Sequence, residues 1–195
     1  MSSLKNTPLW VLIAGLAWVA AVSLGLSRLL EYESAPGDSG LSPRRWPAAS
    51  RLCRDPLRPT LVMFAHPHCP CTRASLAELV QIITRCQGRV AVRVVFVAPA
   101  GVPPGWERTD LWRSAAAIPG VQVHRDAGDE ARRFGAATSG HVALYDPHGK
   151  QLFAGGITGA RGHEGENAGR DAVIRLIRGE PEKLAATYVF GCSLR

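Results

Sequence analysis

The segment from residue 60 to residue 88 constrains the fold most. Residues 60–65 (TLVMFA) make a short, unbroken apolar run of the kind that fills a buried strand. The run gives way to His66-Pro67-His68-Cys69-Pro70-Cys71-Thr72. Beyond it the period changes: Leu76, Leu79, Val80 and Ile83 fall at helical spacing, and Gly88 stops the helix. A cysteine pair therefore sits where a strand hands over to a helix. A helix start presents unpaired N–H groups and a partial positive charge, and both favour a thiolate over a thiol. The thiolate is the nucleophile, and Arg73 or a protonated His68 would push in the same direction.

The pattern continues by alternation. Residues 90–97 (VAVRVVFV) read as a second buried strand, 110–117 as a helix, 121–125 as a short strand and 129–134 as a short helix. Residues 141–145 and 151–157 flank the turn sequence Asp146-Pro147-His148-Gly149 and read as a hairpin. A closing helix spans 168–178, with Ala172, Val173, Leu176 and Ile177 on one stripe, and Pro181 follows it. This order predicts an α/β domain over 59–195: a central mixed sheet, parallel strands extended by an antiparallel hairpin, flanked by helices.

Upstream, residues 8–27 (PLWVLIAGLAWVAAVSLGLS) carry no charged side chain, and about 20 apolar residues span a bilayer as a helix. The run exceeds the apolar stretch of a cleaved signal and lacks a clean Ala-x-Ala site, so 1–30 is expected to be an uncleaved single-pass anchor. Lys5 before the span and Arg28 after it nearly balance in the positive-inside rule. Residues 31–58 are rich in Pro, Gly, Ser and Arg without a period, which reads as a linker, with Cys53 inside it.

The formal charge of +7 comes from scattered arginines rather than a basic run, so no nucleic-acid partner is expected. Five cysteines leave at least one unpaired in a monomer, and the count does not make a disulfide framework. Cys86 continues the apolar stripe of the helix and reads as a core residue.

The motif resembles the thioredoxin superfamily, nearest to the membrane-anchored TlpA/ResA-type thiol–disulfide oxidoreductases of bacteria, and also a smaller RedB-type group. That family carries Phe-Trp-Ala-x-Trp-Cys-x-x-Cys-Arg-Ala, matched here by Phe64, Cys69, Arg73 and Ala74. A second block, Phe134-Gly135, then Ala143-Leu144-Tyr145-Asp146 and Gly149, resembles its Tyr-Gly-Val…Phe-Leu-Ile-Asp…Gly block. The resemblance covers about residues 58–180. It implies a thioredoxin-like fold and catalysis by Cys69 and Cys71 on exported thiols or disulfides, with no cofactor. With the anchor, it places the soluble domain on the periplasmic side of the inner membrane.

Two departures stand out. Thr72 occupies the family's second cysteine position, so the nearest partner is Cys71, and a Cys-x-Cys disulfide closes a small, strained ring. Gly140 stands where the family has a cis-proline that shapes substrate contact and keeps metals away, which makes metal binding more plausible here. Cys69, Cys71, His66 and His68 suit Cu(I) or Zn(II) by ligand type, so a copper-binding metallochaperone is the alternative function. A thioredoxin-fold interaction module without redox chemistry is a third.

Residues 155–169 (GGITGARGHEGENAG) form a long glycine-rich loop after the hairpin, which returns the chain to the cysteine end. His163 or Glu164 from it could exchange a proton with a thiol, and Arg161 could reach the same place. Near the end, Cys192 follows an apolar stretch that suggests a docked tail, so it could act as a resolving thiol for Cys69, Cys71 or Cys53.

Overall fold

The structure, a computed structural model, describes residues 8–194. Lys5, on which the orientation of the anchor leans, lies outside them. The chain divides after Ala35 into two units. The first holds α1 (Leu9–Ser34), a helix of 26 residues with none buried and a mean hydropathy of 2.2 over its most apolar window. It has the length and composition of a membrane span or a signal sequence, and runs about two turns further than the apolar stretch alone suggests.

The second unit is a five-stranded sheet with helices packed on it. In chain order its elements are β1 (Thr60–Ala65), α2 (Cys71–Cys86), β2 (Ala91–Val97), α3 (Asp110–Ala116), β3 (Val121–Asp126), α4 (Asp129–Arg133), β4 (His141–Tyr145), β5 (Gln151–Gly155) and α5 (Ala168–Arg178). The strand order is β3-β2-β1-β4-β5. β1, β2 and β3 run parallel, and β4 and β5 are antiparallel to their neighbours. Every residue of β1, β2 and β4 is buried, as expected of central strands covered on both faces.

One face packs Leu61, Met63, Val92, Val94 and Phe96 against Leu76, Leu79, Ile82 and Cys86 of α2 and Val173 and Ile177 of α5. Cys86 is a core residue, 1% exposed. Val80, expected on the buried stripe, faces out at 37% exposure. Ile82 takes its place, because the line Leu79–Ile82–Cys86 follows the helical turn that meets the sheet. α2 ends at Gln87, in the left-handed region, whose N–H donates to Ile83 O.

The other face corrects the expectation of a linker over 31–58. Residues 31–34 belong to α1, and residues from Pro36 onward belong to the folded body. Trp46 packs edge-on against Phe134 and Tyr145, at ring-centroid distances of 5.0 and 5.3 Å. Tyr145 Oη donates to Pro43 O (2.9 Å), and Ser50 Oγ donates to Glu130 Oε2 (2.6 Å). The segment has no period because it is an extended strap that buries isolated side chains, Trp46 and Leu52, beside Phe64, Val95 and Leu194.

Candidate active site

The first turn of α2 is built around Cys69. Thr72 N–H donates to Cys69 O (3.0 Å) and Arg73 N–H to Pro70 O (3.2 Å), so turn bonding already starts at Cys69, through Pro70, whose backbone is helical, into α2. Cys69 thus stands at the cap, where a side-chain acceptor meets the N–H groups of the first turn. Burial pushes its thiol up, but hydrogen bonds from Cys192 (thiol and backbone N–H) and from the N–H groups of Cys71 and Thr72 outweigh it, and the net shift is downward. The Cys192 N–H lies 3.4 Å from the sulfur.

Three thiols therefore share one site, and all are free. Burial and the neighbouring Cys69 sulfur push the Cys71 thiol up, against a smaller pull from Arg161 and the Gly162 N–H. Cys192 is pushed up to about 12, by burial first and then by its hydrogen bond and charge repulsion with Cys69. Cys69 is only 1% exposed, with Cys192 of the tail against it. It belongs to neither apolar cluster. Cys53, in contrast, is exposed and forms no disulfide.

Thr72 serves a different purpose from a second cysteine. Its hydroxyl hydrogen-bonds Ser139 Oγ (2.9 Å), and Ser139 Oγ accepts the His66 N–H (2.9 Å). Thr72 and Ser139 are each 1% exposed, so this hydroxyl pair ties the helix start to the turn before β4 inside the protein. Gly140 follows in that turn with φ +89° and a trans peptide bond, its N–H donating to Phe64 O (2.8 Å). A Cβ there would lie 2.8 Å from Ser75 Oγ. Gly140→Ala is therefore expected to cost about 1–3 kcal/mol in urea unfolding, most of it from the left-handed backbone. A loss below about 0.5 kcal/mol would mean the turn relaxes without strain.

The remaining expected site residues separate into those at the thiols and those elsewhere. Arg161 and Gly162 reach the site from the glycine-rich loop. His163 and Glu164 are exposed, and the His163 ring lies beside Gly159 and Gly165 of its own loop. Arg73 is exposed and paired with Asp110 at 2.5 Å. His68 Nε2 faces Trp106 O at 3.2 Å, and its ring packs against Trp106 tilted by 54°, with centroids 4.5 Å apart. His66 Nδ1 accepts the His68 N–H (3.2 Å), and burial followed by the His68 charge holds its pKa down.

The two histidines thus turn to Trp106 and not toward a common point with the thiols. Among the described residues no group of three or more His, Cys, Asp or Glu is placed to hold a metal ion. Trp106 and Ser139 carried no motif and were not foreseen. Ser139 was within reach as the neighbour of Gly140, whereas Trp106 meets His68 only through a contact 38 residues distant in the chain.

No protein-family model matches the chain, and no curated protein matches it. Solved structures do. One is an uncharacterized conserved protein of Geobacillus kaustophilus, at 18% identity and a TM-score of 0.60, covering 80% of this chain and 93% of that one. Another is a hypothetical protein of Sinorhizobium meliloti 1021, at 20% identity and a TM-score of 0.60, covering 84% and 97%. An exposed lipoprotein thioredoxin of Streptococcus pneumoniae strain TIGR4 aligns at 16% identity and a TM-score of 0.45, covering 63% and 84%. At such identities the likeness is one of fold. With three parallel strands, an antiparallel hairpin and cysteines where the first strand meets its helix, the chain has the thioredoxin-like fold.

Proposed function

We propose that the chain is a membrane-anchored thiol–disulfide oxidoreductase that acts on exported proteins, with Cys69 as the attacking sulfur. The observation that supports this best is the Cys69 sulfur itself, capped by N–H groups at a helix start with a second thiol from Cys192 against it. α1 serves as the anchor, and the domain works on the periplasmic side of the inner membrane. The site resembles that of the TlpA/ResA-type oxidoreductases in placement, with Cys-Pro-Cys in place of Cys-x-x-Cys.

In the reductive direction the Cys69 thiolate attacks one sulfur of a client disulfide. The client S–S bond breaks, its second sulfur leaves as a thiolate and takes a proton from solvent, and Cys69 holds the first in a mixed disulfide. Cys192 then loses its proton and attacks Cys69 Sγ, releasing the first client sulfur. Two electrons have passed to the client, and the chain carries a Cys69–Cys192 disulfide. An external dithiol restores it; run backwards, the oxidised chain oxidises a client dithiol. No cofactor is needed, because the thiols carry the electrons.

The order of steps follows from the electrostatics. The Cys192 thiol is held protonated in part by the Cys69 sulfur beside it. Once Cys69 is in a mixed disulfide it carries no charge, that hold ends, and Cys192 becomes the easier thiol to ionise. Cys71 is the weaker resolving candidate, since only one residue separates it from Cys69 and the ring would be strained. The test equilibrates the full chain in detergent with glutathione buffers of graded potential, traps free thiols and maps disulfides by mass spectrometry. A Cys69–Cys192 bond in a two-electron transition is the expected result. A Cys69–Cys71 bond would transfer the resolving role to Cys71, and no bond to Cys69 at any ratio would refute the reading.

A further inference from the structure

We propose that an apolar groove between the strap and residues 184–190 holds an acyl chain of an anionic membrane lipid. The proposal rests on the reading of α1 as a membrane span and is independent of the redox chemistry.

The groove has a volume of about 860 Å³, in the range of about 300–1,000 Å³ that ligand sites occupy. It is lined by residues 39–42 of the strap, by 154–156 at the end of β5, and by 184–188, which run beside β5 through an Ala154–Ala186 bridge. No cysteine lines it, so it is separate from the thiol site. Three polar side chains of its lining are spent within the protein. Ser42 Oγ donates to Phe134 O (2.9 Å), Thr187 Oγ1 donates to Gly156 O (2.7 Å), and Asn167 Oδ1 accepts the Arg170 N–H (2.7 Å). Water in the groove therefore finds few partners, and an apolar occupant takes surface out of water. Leu41 and Tyr188, both in the lining, are 93% and 69% exposed, so the groove continues outward as an apolar patch.

Two observations choose a lipid as the occupant. The first is reach. Gly37 N–H donates to Val189 O (2.8 Å), so the folded body begins three residues after Ser34, the last residue of α1. With residues 28–34 helical, at most about 20 Å of chain separates Gly37 from the uncharged stretch that ends at Ser27. The limit is one of chain length, whatever the orientation, and it keeps the strap within reach of the lipids around the span.

The second is charge. Arg44 and Arg45 follow on the strap, and Lys150 is bridged to Arg45. Gln151, which lines the groove, donates its N–H to Arg44 O (2.9 Å). All three cations are exposed, and none is ion-paired among the described residues. Asp38 is the one carboxylate between residues 36 and 46, and it accepts the Gly40 N–H (2.8 Å). Exposed cations beside an apolar groove match a ligand with an anionic head and an apolar tail.

The test places the full chain in phosphatidylcholine nanodiscs with a trace of phospholipid that carries a diazirine in one acyl chain. The head of the trace lipid is phosphatidylglycerol in one set and phosphatidylcholine in the other. After irradiation, lipid adducts are mapped by mass spectrometry. Adducts are expected on α1 with both heads, and on residues 151–161 and 184–190 at least about fivefold more with phosphatidylglycerol. Ala154→Trp, which fills the groove, should remove the adducts there and leave those on α1. Arg44→Glu with Arg45→Glu and Lys150→Glu should abolish the preference between heads.

Adducts on α1 alone would overturn the proposal, leave the groove to a protein partner and keep the anchor reading intact. No adducts on α1 would refute the anchor, and the proposal with it. Groove adducts that Ala154→Trp leaves in place, equal labelling by both heads, or a preference that survives the triple replacement would also overturn it. Cys86, buried in the core, is closed to iodoacetamide while the domain is folded and checks each variant. If Ala154→Trp opens it, Ala186→Trp, at an exposed position of the same groove, takes its place.

Discussion

Cys69→Ser is expected to lower disulfide reduction in an insulin-type assay by at least about 10³-fold while the fold survives. A serine hydroxyl stays protonated at any pH where the protein is folded, and the N–H groups gathered at this position then have no charge to stabilise. In the wild type those groups pull the thiol below its ordinary range against the opposing effect of burial. The first step, read as the rate of mixed-disulfide formation, should accordingly rise with pH through a midpoint below that of an ordinary cysteine. The resolving step should titrate separately and higher, since burial, the first cause that pushes the Cys192 thiol up, persists after Cys69 has lost its charge. Cys86→Ser is the matched control: it lies at the far end of α2 from the motif, in the core, so the assay rate per folded molecule should be preserved. Its cost is stability, about 1–3 kcal/mol for a hydroxyl buried without a partner. A Cys69→Ser chain that keeps more than a tenth of wild-type activity would remove Cys69 from the mechanism.

The elements of the fold were legible because burial imposes a period. β1, β4 and α5 match the predicted 60–65, 141–145 and 168–178, and the remaining elements of the domain differ by a few residues at their ends. The strap over 36–58 was not legible, since an extended segment with two or three buried side chains leaves no repeat to read. Cys69, Cys71 and Thr72 were placed at the helix start by local sequence alone, which suffices for neighbours in the chain. The partners that decide their chemistry come from far away: Ser139 through Thr72, and Cys192 through Cys69, across 67 and 123 residues. The proposed proton carriers His163 and Glu164 stand apart from the thiols for the opposite reason. In a glycine-rich loop the backbone directions are open, and here they present Arg161 and Gly162 to the thiols and leave His163 and Glu164 exposed.

That loop is pinned by an ion pair that no motif announced, and breaking it carries the largest expected stability loss. Glu78 on α2 and Arg170 on α5 are 2% and 6% exposed, with Glu78 Oε2 2.8 Å from Arg170 Nη1. Glu78 Oε1 accepts the Gly165 N–H (2.6 Å), and Arg170 Nη1 donates to Gly165 O (2.9 Å), so both charges grip the same loop residue. Glu78→Ala removes the carboxylate and leaves a buried guanidinium with only Gly165 O and the half-exposed Asp171 as acceptors. Breaking one side of a buried pair in this way costs about 3–5 kcal/mol, a large share of the roughly 5–15 kcal/mol that holds a domain folded. Urea unfolding of Glu78→Ala should show that loss. The double replacement Glu78→Leu with Arg170→Met should recover most of it, because no charge is then stranded. The double variant separates two roles of the pair. Its body should be stable, yet Gly165 has lost both partners and the loop is loosened. Arg161 then no longer holds down the Cys71 and Cys192 thiols, so their reaction should shift to higher pH while mixed-disulfide formation at Cys69 stays near wild type. A Glu78→Ala loss under about 1 kcal/mol, or a double variant no more stable than the weaker single one, would show that solvent reaches the pair and that it is not the clamp described.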